Sequence, residues 1–82
     1  MELKKIDRAF YRELGNCLHQ NRKKRGYSLR YLAELTGLSR TTLDRYELGV
    51  TRITPKNFEK ICKALNVSSN LKVEVKIGFL ND

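Results

Sequence analysis

The side chains of this sequence that could do chemistry together are basic groups and hydroxyls. Arg40, Thr41, Thr42 and Arg45 stand in one short stretch. Arginine donates paired hydrogen bonds to guanine, and threonine can contact a thymine methyl group or a phosphate. The formal net charge is +8, from 17 lysines and arginines against 9 acids. This composition favours a polyanionic partner, either nucleic acid or an anionic membrane.

Catalytic and metal-binding patterns are missing from the sequence. His19 is the only histidine, and no cysteines or carboxylates surround it at metal-ligand spacing. There are no paired carboxylates, no serine–histidine arrangement and no glycine-rich phosphate loop. We therefore predict that the protein is not an enzyme and needs no metal, cofactor or small-molecule ligand.

The apolar segments are too short to favour a membrane partner. None approaches the roughly 20 residues needed to span a bilayer, and residues 1–12 carry scattered charges instead of a signal-peptide core. We therefore expect a cytoplasmic protein in which Cys17 and Cys62 are thiols of the core and form no disulfide. The 82 residues allow one domain with a modest core, which dimer formation would stabilise.

Apolar residues recur at steps of three and four in four segments, which predicts four helices. Ser28, Ser39 and Thr54 precede the last three segments and are N-cap candidates. Glycines or Asn66 follow the segments as stop signals. The predicted helices are Ile6–Lys24, Leu29–Leu35, Arg40–Leu48 and a fourth that begins at Pro55 and ends before Asn66.

The second and third helices have the outline of a helix-turn-helix motif, because a short turn containing Gly37 joins them. In this motif the second helix presents its outer face to DNA. Leu43 and Tyr46 would then face inward. The outer face would read base edges with Arg40, Thr41, Thr42 and Arg45.

From Leu14 to Val67 the sequence resembles the phage-repressor (Xre/Cro-like) helix-turn-helix family. The resemblance implies a mainly α, four-helix fold and a double-stranded DNA partner. The matching residues fall in the family order with family-like spacing: Arg22, Gly26, Ser28, Leu32, Ala33, Gly37, Leu38, Ser39, Leu43, Glu47, Gly49, Pro55, Ala64, Leu65, Asn66 and Val67.

The resemblance also implies contacts to the DNA backbone. Ser39 and Arg30 match positions near phosphates. Thr51 and Arg52 lie in the loop after the third helix, which approaches phosphates in this family. Leu29 departs from the pattern, because many members have a glutamine there that contacts the backbone.

Further roles concern the first helix and its surroundings. The resemblance implies that Arg22 and Glu47 form a structural ion pair between the first helix and the end of the third. Lys23 belongs to a basic run that could contact phosphates or form a solvated face. Tyr27 and Tyr31 could meet the DNA backbone or pack against the first helix.

After the fourth helix the hydrophobic period changes to two, which predicts a β-strand. A single strand cannot satisfy its own backbone groups, so we predict pairing across a dimer; packing on its own domain is the alternative. The domain would cover residues 1–70, with a dimerisation segment over 71–82. The apolar strand positions are Leu71, Val73, Val75, Ile77 and Phe79.

The expected function is that of a sequence-specific DNA-binding transcriptional regulator. It would act as a repressor and bind a pseudo-palindromic operator as a homodimer. The alternative is an antitoxin-type DNA-binding protein whose surface also docks a toxin. Use of the fold to bind RNA or protein alone would show as weak binding to all duplex DNA.

Overall fold

Four α-helices form the part of the chain that the structure describes. The computed structural model describes residues 5–68, with side chains from residue 8 onward. Each predicted helix boundary is met within one residue, and the mainly α, four-helix architecture is confirmed. The side chain of Ile6, the predicted strand and the boundary at residue 70 lie outside this description. The helices are α1 (Lys5–Lys24), α2 (Leu29–Thr36), α3 (Arg40–Leu48) and α4 (Pro55–Leu65).

The three later helices begin at residues whose side chains cap them. Ser28, Ser39 and Thr54 are extended, and each accepts a hydrogen bond from the backbone N–H three residues on, at 3.0, 3.0 and 3.2 Å respectively. Each such bond satisfies one of the N–H groups that a helix start leaves without a partner, and replacing the cap by alanine typically costs about 1 kcal/mol. The N-cap predictions are therefore confirmed.

Apolar side chains from all four helices meet in one core. Burial of a leucine or isoleucine side chain stabilises a fold by about 1.5–3 kcal/mol. None of the helices within residues 5–68 is long and apolar enough to cross a bilayer. The most deeply buried core residues are Leu14 and Leu18 of α1, Leu32 of α2, Leu43 of α3, Ile53 before α4, and Ile61 and Leu65 of α4.

Two glycines let α1 and α3 approach closely. A Cβ atom at Gly15 would lie 2.2 Å from the carbonyl oxygen of Tyr46. Gly49, which ends α3 with φ +73°, has no room either, because a Cβ there would lie 2.4 Å from the Cα of Arg12. The obstructing atoms belong to the backbone and cannot rotate away. The position of α3 on α1 therefore depends on the absence of side chains at these two glycines.

Two hydroxyl groups fix the other sides of the motif. Thr36 is buried, and its hydroxyl donates to the Leu32 carbonyl at 2.8 Å and accepts from the Leu38 N–H at 3.2 Å. The amide of Asn57 donates to the Tyr46 hydroxyl at 2.9 Å, which joins α4 to α3. The turn between α2 and α3, and the contact of α3 with α4, are thus held by hydrogen bonds as well as by apolar packing.

Candidate nucleic-acid interface

The outer face of α3 is exposed, whereas its inner face lies in the core. Leu43 and Tyr46 are 1% and 5% exposed, as the sequence predicted. The side chains of Arg40, Thr41 and Arg45 are exposed, and no hydrogen bond or ion pair among residues 5–68 engages them. Their donors are therefore free for a partner outside this part of the chain.

Thr42 occupies a different position from the other predicted base-reading residues. It is half-buried, and its hydroxyl accepts a hydrogen bond of 2.8 Å from the Ser39 hydroxyl. Its backbone N–H donates to the same Ser39 oxygen at 3.0 Å. Ser39 and Thr42 therefore close the first turn of α3 on themselves, and the Thr42 hydroxyl keeps its own proton to donate.

Arg22 and Glu47 are brought together in a nearly buried ion pair. Arg22 Nε donates to Glu47 Oε2 at 2.7 Å, and Arg22 Nη2 donates to Glu47 Oε1 at 2.9 Å. The two side chains are only 9% and 8% exposed. Arg22 Nη1 also donates to the Tyr27 carbonyl at 2.7 Å. This geometry joins α1, the turn before α2 and the end of α3.

His19 completes this cluster on the solvent side. Its Nδ1 lies 2.7 Å from Glu47 Oε1 and 3.2 Å from Arg22 Nη2. The hydrogen bonds that Arg22 donates to Glu47 raise the pKa of Arg22, while burial lowers it and the charges of Glu47 and Asp44 add to the rise. The guanidinium stays charged, so Glu47 must remain beside it to compensate its desolvation.

Two of the predicted phosphate contacts lie on helices other than α3. Lys23 is exposed in the last turn of α1, and Arg30 is exposed in the first turn of α2. Arg30 Nε lies 3.9 Å from Glu34 Oε1, and both side chains are well exposed. Among the described residues, neither Lys23 nor Arg30 makes a hydrogen bond or ion pair with α3.

The loop after α3 carries two more, and the fifth, Ser39, is the N-cap of α3. Thr51 is half-buried and Arg52 is exposed. The Arg52 guanidinium carbon lies 5.9 Å from the centre of the Tyr11 ring, which is buried on α1. A cation near an aromatic face is attracted by it. This contact orients Arg52 against α1. Thr51 is the less accessible of the two loop residues.

The two tyrosines near α2 differ in how far they are exposed. Tyr27 is half-buried and packs against the core, whereas Tyr31 is 44% exposed. Their rings meet edge to face, with centroids 4.9 Å apart. Leu29 is also half-buried against the core, which is the packing role that an apolar residue can fill in place of the glutamine common at this position.

The thiols lie in or beside the core and form no disulfide. Burial raises the pKa of Cys62 to about 11, and the nearby charge of Glu59 adds to the rise. Burial, with a contribution from Glu13, also raises the pKa of the half-buried Cys17. Both groups are therefore protonated and weakly nucleophilic near neutral pH. Within residues 5–68 no group of three or more His, Cys, Asp or Glu side chains is arranged to hold a metal ion.

Comparison with known protein families gives a match for this arrangement of helices. The profile of the HTH_3 helix-turn-helix family matches residues 18–71. This chain belongs to the HTH_3 family. The match runs from the second half of α1 through α4, so it includes the Arg22–Glu47 pair and the whole exposed face of α3. Comparison with curated proteins gave no significant match.

Solved structures of HTH_3-like regulators share the fold. ClgR, the clp gene regulator of Corynebacterium glutamicum, is 26% identical over 88% of this chain and 77% of its own, with a TM-score of 0.77. The restriction-modification controller protein C.AhdI of Aeromonas hydrophila is 28% identical over 78% and 97% of the two chains, with a TM-score of 0.74. SinR of Bacillus subtilis, the master regulator for biofilm formation, is 33% identical over 73% and 97%, with a TM-score of 0.68.

The three similar proteins belong to one functional class. The SinR structure is that of a complex with DNA, and the other two proteins are regulators of genes or of a restriction-modification system. The chain is thus a member of a family of DNA-binding helix-turn-helix transcription regulators. Its relatives are regulators rather than enzymes.

Two residues on α1 and α3, His19 and Asp44, were not predicted from the sequence to have the positions they hold in the fold. His19 was considered only as a metal ligand, yet it contacts Glu47. A usable signal was its spacing, because Gly15, His19 and Arg22 recur at steps of four and three and so share one face of α1. Asp44 was also overlooked, although it is exposed on α3 between the two predicted reading arginines.

Proposed function

We propose that this protein is a transcriptional repressor that binds an inverted-repeat operator as a homodimer. The observation that carries the proposal is the free outer face of α3, where Arg40, Thr41 and Arg45 are exposed without partners among residues 5–68. A fold that leaves two guanidinium groups unpaired on a rigid helix has donors available for base edges. Family membership supports the same use of α3.

The chemistry of base reading follows from these side chains. Arg40 and Arg45 would each donate two hydrogen bonds to O6 and N7 of a guanine, the commonest specific contact in the major groove. Thr41 would contact a thymine methyl group or a phosphate. Thr42 would contribute its remaining hydroxyl proton and its methyl group. The N-terminal half of a recognition helix is the part that reaches base edges in this docking geometry.

Phosphate contacts would supply much of the affinity. Ser39, Arg30, Lys23, Thr51 and Arg52 are the candidates, and the net charge of +8 supports a strong electrostatic attraction. Each neutralised phosphate releases counterions, so the logarithm of the binding constant should fall by about 0.9 per contact for each tenfold rise in salt.

The dimer is proposed from the sequence. Residues 71–79 would form a strand that pairs with the same strand of a second copy, through the face of Leu71, Val73, Val75, Ile77 and Phe79. Two α3 helices would then enter major grooves about 34 Å apart, one turn of DNA. A dimer that covers a promoter represses by steric exclusion alone.

Selection of bound sequences from a random duplex pool at physiological salt tests the proposal. We expect enrichment of an inverted repeat whose half-sites are about one turn apart. A single enriched half-site would contradict the dimer, and enrichment of no sequence would contradict specific binding. The enriched repeat is then placed over a promoter that drives a reporter gene. Production of the protein should lower expression, whereas a rise would contradict repression.

A further inference from the structure

One acidic side chain lies on the face of α3 that is proposed to meet DNA. Asp44 is exposed, four residues after Arg40 and next to Arg45. The other acid of α3, Glu47, is nearly buried in its pair with Arg22. Asp44 is therefore the acid of this helix that a DNA partner would encounter.

Asp44 has no direct partner in the described part of the chain. No hydrogen bond or ion pair among residues 5–68 involves its carboxylate, and Arg40, one helical turn before it, does not pair with it. Asp44 makes no hydrogen bond with Arg22, and its charge is the last of the causes that raise the pKa of that group. Both hydrogen bonds that Arg22 donates to an acid of α3 go to Glu47. The fold thus assigns Asp44 no contact of its own.

A free carboxylate opposes DNA binding unless it meets a hydrogen-bond donor. Phosphates repel it, and so do the acceptors of guanine in the major groove. The donors that the major groove offers are exocyclic amino groups, of which cytosine N4 is the usual partner of an aspartate. A carboxylate at this place therefore disfavours most sequences and favours one kind of base pair.

We infer that Asp44 is a specificity-determining residue that accepts a hydrogen bond from the amino group of a cytosine. The inference rests on the proposed function and deepens it. Side chains one helical turn apart are separated by about 5–6 Å, against about 3.4 Å for each base-pair step. The cytosine read by Asp44 thus lies one or two steps from the base read by Arg40.

Substitution by asparagine gives a direct test, because asparagine pairs with N6 and N7 of adenine. The random-duplex selection is run with the wild-type chain, Asp44→Asn, Asp44→Ala and Glu59→Gln. The last removes the same charge from an exposed position on α4. In the wild-type motif one position of each half-site should be cytosine. Asp44→Asn should change that position to adenine, with about a tenfold change in relative affinity between the two sites.

The other variants separate base reading from net charge. Asp44→Ala should lose the preference at this one position and keep the rest of the motif, and Glu59→Gln should keep the whole motif. If Asp44→Asn still selects cytosine at this position, the inference is overturned and the proposed function is not. Equal strengthening of binding to all DNA by Asp44→Asn and Glu59→Gln, with no change of motif, would overturn the inference in the same way. A wild-type chain that enriches no sequence would overturn the proposed function and this inference together.

Discussion

The two faces of α3 differ in how far their polar groups are satisfied within the fold. On the inner face Glu47 makes hydrogen bonds with Arg22 and His19, and Tyr46 accepts one from Asn57. On the outer face Arg40 and Arg45 have no such partner among the described residues. The position of a residue around the helix therefore decides its role. Inner-face residues hold α3 in the fold, whereas outer-face residues can be substituted to change what α3 binds.

The largest expected effect is on the inner face. Glu47→Ala leaves the Arg22 guanidinium nearly buried and without a negative partner, which should lower the free energy of unfolding by about 3–5 kcal/mol. Urea unfolding followed by circular dichroism measures the loss. Glu34→Ala is the matched control, because its exposed pair with Arg30 is worth at most about 1 kcal/mol. Equal losses for the two variants would show that the inner pair does not fix α3.

A second change tests the close approach of α1 and α3. Gly15→Ala places a Cβ against the Tyr46 carbonyl, so α3 must shift. We expect a net loss of about 1–3 kcal/mol in unfolding free energy, although alanine favours a helix over glycine by about 1 kcal/mol. The neighbouring Asn16→Ala, at an exposed position, should change it by less than about 0.5 kcal/mol. A Gly15→Ala variant as stable as Asn16→Ala would contradict the contact.

The outer face should give the opposite result. Arg40→Ala and Arg45→Ala should leave the unfolding free energy within about 0.5 kcal/mol of the wild type. Each should weaken binding to a selected operator by about 1–3 kcal/mol and weaken binding to random duplex DNA less. Fluorescence anisotropy with both duplexes measures the two losses. Lys60→Ala, which removes a charge from α4, should affect both duplexes equally. Equal weakening on both duplexes in the arginine variants would show that Arg40 and Arg45 contact phosphates instead of bases.

The smallest effect concerns the core thiol and pH. Because burial raises the pKa of Cys62 from 9.0 to about 11, the folded chain holds this proton more tightly than the unfolded chain does. The corresponding stability is fully present below about pH 9 and is lost as pH rises toward about 11. Between these two pH values the free energy of unfolding, measured with urea, should decline less steeply for Cys62→Ala than for the wild type. Parallel declines would contradict the shifted pKa.

Features set by neighbours in the sequence could be predicted. The helix ends followed from Ser28, Ser39 and Thr54 and from the glycines after the helices, because a cap acts over three or four residues. The inward positions followed from the helical period, which brought Leu43 and Tyr46 into the core. The free outer face of α3 is the complement of this pattern, so its exposed arginines were predictable too.

Features that depend on distant residues could not be derived in this way. The Arg22–Glu47 pair was expected only through family resemblance, since no local rule joins residues 25 positions apart. The contact of His19 with Glu47 spans 28 positions and was not foreseen. Gly15 was overlooked because a glycine inside a helix shows its purpose only when the opposing Tyr46 carbonyl is in place.

The closed first turn of α3 has a consequence for the rate and heat of binding. Since the Ser39 hydroxyl already holds both the N–H and the hydroxyl of Thr42, the turn that carries Arg40 and Thr41 is ordered before any partner arrives. Ordering a residue's backbone on binding would otherwise cost about 1–2 kcal/mol. Docking of α3 should therefore proceed as a rigid-body encounter whose speed is set by charge attraction, and its heat capacity change should reflect desolvation alone.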